Sequence, residues 1–312
     1  MSQQNTENPN QLANGAAWMK GKVVPISEAS IPVNDWGLIH SDITYDVVPV
    51  WDGAFFRLEE YLSRFDRSMD ALRLDPGMDK SAIRGALQQL VSASGLNRAY
   101  VAMVTSRGMN TVPGSRDPRD CKNHFFAWCV PYVYLIRPEI AEAGAKAIIA
   151  QSVRRIPKNS VDPKVKNYHW ADFTAGLFEA KDAGMETVIL LDQDGNISEG
   201  PGFNIFAVKN GRLVTPDDGV LEGISRLTVL QIAEEMGLQA EVRPLSPEEF
   251  LESDEVFISS SGGGVMGLTE VNGRIFSNGR EGPCTSRLKT KYMEWLQSPA
   301  YRTEISYSDE AG

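Results

Sequence analysis

VDPKVKNYHW, residues 161–170, places two lysines, Lys164 and Lys166, in a polar loop just ahead of an apolar, helix-like run. Lys166 is the candidate chemical centre. A lysine amine becomes a nucleophile only when it loses its proton, which requires desolvation or a neighbouring positive charge. Counted by itself it reads as a solvated loop lysine, because Lys is almost never fully buried unless it is paired. Its company along the chain argues otherwise. Downstream come SEGPGFN (198–204) with Glu199, GISR (223–226) at an expected helix start, and the SSSGGG turn (259–264); upstream, Arg64 in YLSRF follows a strand-rich hairpin.

Outward from this stretch, the two halves of the chain differ in pattern. On the N-terminal side AAWMKGKVVPI reads as two short strands about a Lys20-Gly21 turn. ITYDVVPVWDGAFFRL reads as two more about Asp52-Gly53, a strong hairpin signal. LEEYLSRFDRSMDALRL spaces Leu58, Tyr61, Leu62, Phe65, Met69 and Leu72 along one helix face, and SAIRGALQQLVSASG gives a second amphipathic helix ended by Gly95. AYVAMVTSRG and FFAWCVPYVYL complete an antiparallel sheet. Residues 107–123 between them form a polar connection of a length that is usually functional or disordered. From GAKAIIAQSVRR onward strands alternate with helices, so a boundary is expected near residue 137. The expected organisation is a loose tail over residues 1–15, a small domain over 16–136 and a larger one over 137–312. The polar segment after Tyr301 is expected to fray.

Composition narrows the function. A chain of 312 residues can bury a core without staples. A formal charge of −10, with no basic stripe to offset it, argues against nucleic acid as a partner. Cys121, Cys129 and Cys284 are too few and too scattered for a disulfide framework and include no CxxC pair for a metal, which fits a reducing cytoplasm. No apolar run is long enough to span a bilayer, and the polar N-terminus has neither a signal core nor a transit-peptide pattern.

Several segments offer binding chemistry. GISR at a helix start would point the N–H groups of Ile224 and Ser225 at an anion, with the Ser225 hydroxyl added; the alternative is an ordinary helix start capped by Ser225. Glycines 262–264 would let backbone approach a ligand closely, although most such runs are turns. The fork of Arg64 suits a phosphate better than a lysine would, or it is a solvated charge on a helix. Glu199 lies beyond an expected hairpin turn, where a carboxylate can face a cleft or solvent.

In this order VKNYHW, SEGPGFN, GISR and SSSGGG resemble the pyridoxal-phosphate enzymes of fold type IV, the group of branched-chain aminotransferases, D-amino-acid aminotransferases and (R)-selective amine transaminases. The resemblance runs from about Gly15 to Leu296. It implies a mixed α/β (α+β) fold with a small N-terminal domain and a larger one built on a barrel-like sheet. It also implies pyridoxal 5'-phosphate as cofactor and a homodimer with shared active sites. Lys166 would form the Schiff base, Glu199 would hold the pyridine nitrogen, and Arg64, Ile224, Ser225 and Ser261 would bind the phosphate. Serine stands at 225 and 261 where threonine is usual, and Pro201 should stiffen its turn. HSDITYDVVPVWDG (40–53) looks closest to the (R)-amine transaminases. On that likeness His40, Tyr45, Val47, Tyr100, Ala102, Trp170 and Gly262 would line the substrate pocket, plain core packing being the alternative for each aromatic. Arg116, in PGSRD, would swing in to pair a carboxylate and out for an apolar amine. The implied reaction moves an amino group from an (R)-amine or D-amino acid to a keto acid such as pyruvate. A branched-chain or D-amino-acid aminotransferase, an aminodeoxychorismate-type lyase and a non-catalytic cofactor-binding module are the alternatives.

Overall fold

The computed structural model describes residues 11–307. They form two compact units, residues 11–133 with 299–307, and residues 134–298. The first contains β1 (Ala16–Met19), β2 (Lys22–Pro25), α1 (Trp36–His40), β3 (Ile43–Trp51), β4 (Ala54–Phe56), α2 (Leu58–Leu72), α3 (Lys80–Ser94), β5 (Ala99–Asn110) and β6 (Cys121–Pro131). The second contains α4 (Pro138–Ala143), β7 (Ala145–Ile149), α5 (Ala171–Asp182), β8 (Thr187–Ile189), β9 (Asn204–Lys209), β10 (Arg212–Thr215) and α6 (Ile224–Glu235). It continues with β11 (Ala240–Val242), α7 (Pro247–Leu251), β12 (Glu255–Ser260), β13 (Gly264–Val271), β14 (Arg274–Ile275) and α8 (Pro283–Gln297), after which β15 (Arg302–Glu304) belongs to the first unit.

The first unit is one antiparallel sheet in the order β15-β4-β3-β5-β6-β1-β2. Lys20-Gly21 and Asp52-Gly53 turn its hairpins with positive φ at both residues, the backbone a tight two-residue turn demands. Cross-strand pairs set its faces. Pairing Tyr45 with Val104, Val47 with Ala102 and Pro49 with Tyr100 puts all six on one face. Asp46, Thr105 and Trp18 lie on the other, under the helices: Arg64 of α2 reaches Asp46, Thr105 meets Met69 of α2, and Trp18 donates to Gln89 of α3. Tyr61, Leu62 and Phe65 of α2 are fully buried there, each worth roughly 1.5–3 kcal/mol of burial.

Two expectations are corrected. The connection between β5 and β6 is shorter than residues 107–123, because RGMN continues the strand through a bulge between Ser106 and Met109. Gly108 makes that bulge possible; with φ +79°, a Cβ there would lie 2.0 Å from the Lys122 carbonyl oxygen. Residues 302–307, the described part of the segment after Tyr301, do not fray. There β15 pairs with β4, Arg302 donates to the carbonyls of Trp51 and Asp52, and Ile305 is buried. The expected loose tail lies largely outside the described residues, although Leu12–Asn14 form a 3-10 turn.

The second unit is a mixed eight-stranded sheet in the order β11-β10-β9-β12-β13-β7-β8, with β14 on β13; β11, β7 and β8 pair in parallel. Ile205, Phe250, Val256, Ile258 and Phe276 belong to its main core. A smaller cluster of Phe173, Ala180, Val188 and Leu190 seats α5 beside β8. Gly176 permits this close approach, since a Cβ there would come within 2.9 Å of Leu190.

Candidate active site

Four segments of the second unit converge on Glu199. SEGPGFN folds as a tight Pro201-Gly202 turn in which Gly200 and Phe203 exchange two backbone hydrogen bonds, with Gly202 at φ +82°. Pro before a positive-φ Gly is the sequence of a type II turn, and the fixed proline φ stiffens it. Nothing larger than glycine fits at 200, where a Cβ would lie 2.5 Å from the Val188 carbonyl oxygen. Glu199, 5% exposed, accepts from Arg155 Nε at 3.1 Å and from the Leu221 amide at 2.9 Å. The Leu221 carbonyl in turn accepts from Asn204 Nδ2 at 2.8 Å, so the asparagine of SEGPGFN acts on Glu199 through the backbone of one residue.

Arg155 was not legible as a site residue. It is 7% exposed, stacks over Phe173 at 4.1 Å, and is divided between Glu199 and Asp172, at the start of α5. Asp172 also accepts the Ile156 amide at 3.0 Å. One guanidinium therefore serves two buried carboxylates. Burial pushes the Glu199 carboxyl above its usual range, while Arg155, the Leu221 N–H and the charge of Lys166 pull it down.

The two lysines of the 161–170 loop are separated clearly. Lys164 is exposed and paired with Glu222 at 3.0 Å, a contact that raises its pKa and keeps it protonated. Lys166 is half-buried, near enough for its charge to act on Glu199. A lysine that gives up its proton to act as a nucleophile also withdraws a positive charge from Glu199. A protonated ring nitrogen would restore it.

Candidate anion-binding groups lie in the same unit. Gly223, not Ser225, is the N-cap of α6, and having no side chain it makes no capping hydrogen bond. The first N–H groups of the helix, at Ile224 and Ser225, thus sit at a positive helix end that suits a phosphate. Gly223 is required, because a Cβ there would lie 2.0 Å from Asn204 Oδ1. Ser261 and Gly262 follow β12 in a turn fastened by Ser260, whose hydroxyl accepts the Gly262 amide at 3.1 Å and donates to the Gly202 carbonyl at 2.8 Å. Trp170 precedes α5, edge-on to Phe173 at 5.3 Å. A carboxylate that gains from a cation, a glycine-capped helix start beside hydroxyls and a half-buried lysine together fit pyridoxal 5'-phosphate. Among the described residues no cluster fits a metal ion.

The remaining site candidates belong to the first unit. Tyr45, Val47, Tyr100 and Ala102 share the sheet face turned away from α2 and α3, and the register adds Phe126 and Trp128, which sequence reading missed. Tyr100 and Trp128 lie 5.5 Å apart, ring to ring. Burial drives the Tyr100 phenol pKa up, so it stays neutral. His40 ends α1, exposed and stacked on Trp36 at 4.3 Å. Arg116 is exposed in the loop 111–120, which is braced by hydrogen bonds from Ser115 to Asp120 and from Asn110 to the Ser115 carbonyl. Arg64 is buried in α2 and forks on Asp46, through Nε at 2.8 Å and Nη2 at 2.6 Å.

Residues 44–271 match the family described as Amino-transferase class IV. The chain belongs to that family. A Methanocaldococcus jannaschii protein provisionally named a branched-chain-amino-acid aminotransferase is 31% identical over 89% of this chain and 95% of its own length. The D-alanine aminotransferase of Bacillus licheniformis is 27% identical over 91% of this chain and 98% of that protein. Among solved structures, a T.th. branched-chain amino acid aminotransferase with pyridoxamine 5'-phosphate superposes with a TM-score of 0.87 at 25% identity, covering 94% of this chain and 99% of that one. The mixed α/β architecture of this class IV aminotransferase is thus shared with its relatives. Among its described residues, no helix is long and apolar enough to cross a membrane.

Proposed function

We propose that this class IV aminotransferase uses pyridoxal 5'-phosphate to move an amino group from an (R)-amine or D-amino acid to a keto acid such as pyruvate, acting as a homodimer in a reducing cytoplasm. The bound cofactor supplies the electron sink that lets a substrate α carbon lose its proton. Lys166 Nζ carries the cofactor and, once released, takes that proton and returns it. Glu199 holds the proton of the ring nitrogen, in a carboxylate kept in place by Arg155 and the Leu221 amide. Ile224, Ser225, Ser261 and Arg64 are assigned to the phosphate, and His40, Tyr45, Val47, Tyr100, Ala102, Trp170 and Gly262 to the substrate.

The observation that carries the (R)-amine reading is the stretch of sheet face made by Tyr45, Val47, Tyr100, Ala102, Phe126 and Trp128, none of which carries a charge. The site has to accept an apolar group from one substrate and a carboxylate from the other. A buried unpaired carboxylate is costly, and a fixed buried arginine beside an apolar group is equally so. Arg116, exposed on its loop, meets both demands by moving. The names of the relatives favour a second reading, an L-branched-chain or D-amino-acid aminotransferase with a standing carboxylate site.

Single-turnover spectra of the two half-reactions separate them. Arg116→Ala should weaken the half-reaction with pyruvate or D-alanine far more than that with (R)-1-phenylethylamine, while the (S)-amine is scarcely used. Equal losses, or a preference of the unmodified protein for L-leucine or L-valine, select the second reading. In the same assay Lys166→Ala should lose at least about 10³-fold in rate, as expected for a lost general base, and Lys164→Ala almost nothing.

A further inference from the structure

Tyr292 lies on the buried face of α8 with Thr285, Leu288 and Leu296, and is 2% exposed. Its hydroxyl is 3.0 Å from Ser225 Oγ at the start of α6. Its ring packs on Gly264, where a Cβ would come within 3.0 Å of Tyr292 Cε1 and where φ is +67°. One side chain thus touches both segments assigned to the phosphate, the α6 start and the end of the 259–264 turn.

The helix that carries it is anchored from the same strand that leads into that turn. Glu255, the first residue of β12, accepts the amides of Cys284 at 2.9 Å and Thr285 at 2.8 Å, together with the Thr285 hydroxyl at 2.8 Å. This carboxylate sits where the dipole of α8 favours it. A Cβ on Gly282 would overlap Glu255, at 2.1 Å, so the first turn of α8 rests directly on it. Strand, helix and tyrosine make a strut fixed at one end by Glu255 and bearing at the other on the anion-binding groups.

A hydroxyl has one hydrogen to give and two lone pairs to receive with. A phenol is the more acidic of the two and the better donor. We infer that Tyr292 is a positioning residue for phosphate recognition: its hydroxyl donates to Ser225 Oγ and so turns the Ser225 hydrogen toward the phosphate, while its ring sets the 259–264 turn. A donor chain of this kind strengthens the terminal bond, since each member polarises the next. The inference rests on the assignment of Ser225 to the phosphate.

The test is a set of dissociation constants for pyridoxal 5'-phosphate, measured by spectral titration of the full chain, with pyridoxal, which lacks the phosphate, as control. Tyr292→Phe keeps the ring and removes the hydroxyl. It should weaken pyridoxal 5'-phosphate about tenfold, the worth of one hydrogen bond, leave pyridoxal unchanged, and leave kcat at saturating cofactor within about twofold. Ser225→Ala should weaken the phosphorylated ligand at least as much, and adding Tyr292→Phe to it should change nothing further. If Ser225→Ala weakens binding while Tyr292→Phe does not, or if the two losses add, the positioning role is overturned. Equal weakening of pyridoxal and its phosphate marks a packing defect and also overturns it. No effect of Ser225→Ala refutes the assignment of the Ser225 hydroxyl to the phosphate, and the inference falls with it.

Discussion

Two buried arginines are used in opposite ways. In the first unit Arg64 forks on Asp46, guanidinium nitrogens to both carboxylate oxygens. Burial works against the Arg64 charge, but Asp46 outweighs it and the guanidinium pKa is pushed up. In the second unit Arg155 is divided between Glu199 and Asp172, both buried. A fork on one carboxylate closes its own charge. A guanidinium split between two leaves negative charge over, which burial makes expensive. The difference teaches where a cationic ligand is wanted: beside Glu199, whose carboxyl burial pushes up and on which the charge of Lys166, the residue proposed to surrender it, also acts.

The largest expected effect breaks this comparison outright. Arg155→Met should destabilise the protein by at least about 3–5 kcal/mol, the cost of removing one partner from a buried ion pair, because two carboxylates lose their counter-charge. Arg64→Met strands only Asp46 and should cost less. Protonation relieves stranded carboxylates, so the deficit of Arg155→Met should shrink as pH falls from 8 to 5. Urea titrations of both variants at the two pH values read out the ordering. A greater loss for Arg64→Met at both would mean that the sharing of Arg155 carries no excess charge.

A sharper, somewhat smaller effect comes from Glu199→Gln. At saturating cofactor the variant should slow turnover by roughly 10²–10³-fold, as when a preorganised charge is taken from a developing transition state. Stability supplies an independent sign. The folded pKa of Glu199 is raised above the unfolded value, near 4.3, so the folded chain holds this proton more tightly. Below the unfolded value the group costs nothing. As pH rises from there through the folded value, wild-type stability is lost, and glutamine does not follow. Without cofactor, the Tm of Glu199→Gln relative to wild type should therefore climb with pH above about 4.3 and then level. Bound cofactor, by supplying a cation to Glu199, should flatten the climb.

Much of this was legible in the sequence, and the reasons are local. Asp52-Gly53, the 58–72 spacing and the strand runs carry their structure in neighbouring residues. Likewise Lys166, Glu199 and GISR form an ordered set of motifs. Arg155 carried no such signal: next to Arg154 it reads as surface charge, and its burial is created by Asp172 and Glu199, far along the chain. Tyr292 reads as one more apolar position on α8, and Trp128 becomes a neighbour of Tyr100 only through strand register. The fate of residues 302–304 depended on an open sheet edge at β4, which periodicity cannot report.

The smallest effects compare the units through two glycines. At Gly223 a methyl group would meet Asn204 Oδ1 at 2.0 Å, so the Asn204 amide must turn and release the Leu221 carbonyl. The Leu221 amide would then hold Glu199 less firmly. Gly85, in the middle of α3, has nothing within 4 Å of its would-be Cβ and is exposed. Gly223→Ala should cost about 1–3 kcal/mol, the range for overpacking, and weaken cofactor binding as well. Gly85→Ala should instead stabilise by about 0.5–1 kcal/mol, since alanine loses less backbone freedom in a helix. Denaturation midpoints of the two variants give opposite signs if glycine is held at 223 by the contact that steadies Glu199. A neutral Gly223→Ala would show that Asn204 moves without consequence, and that Arg155 holds Glu199 in place unaided.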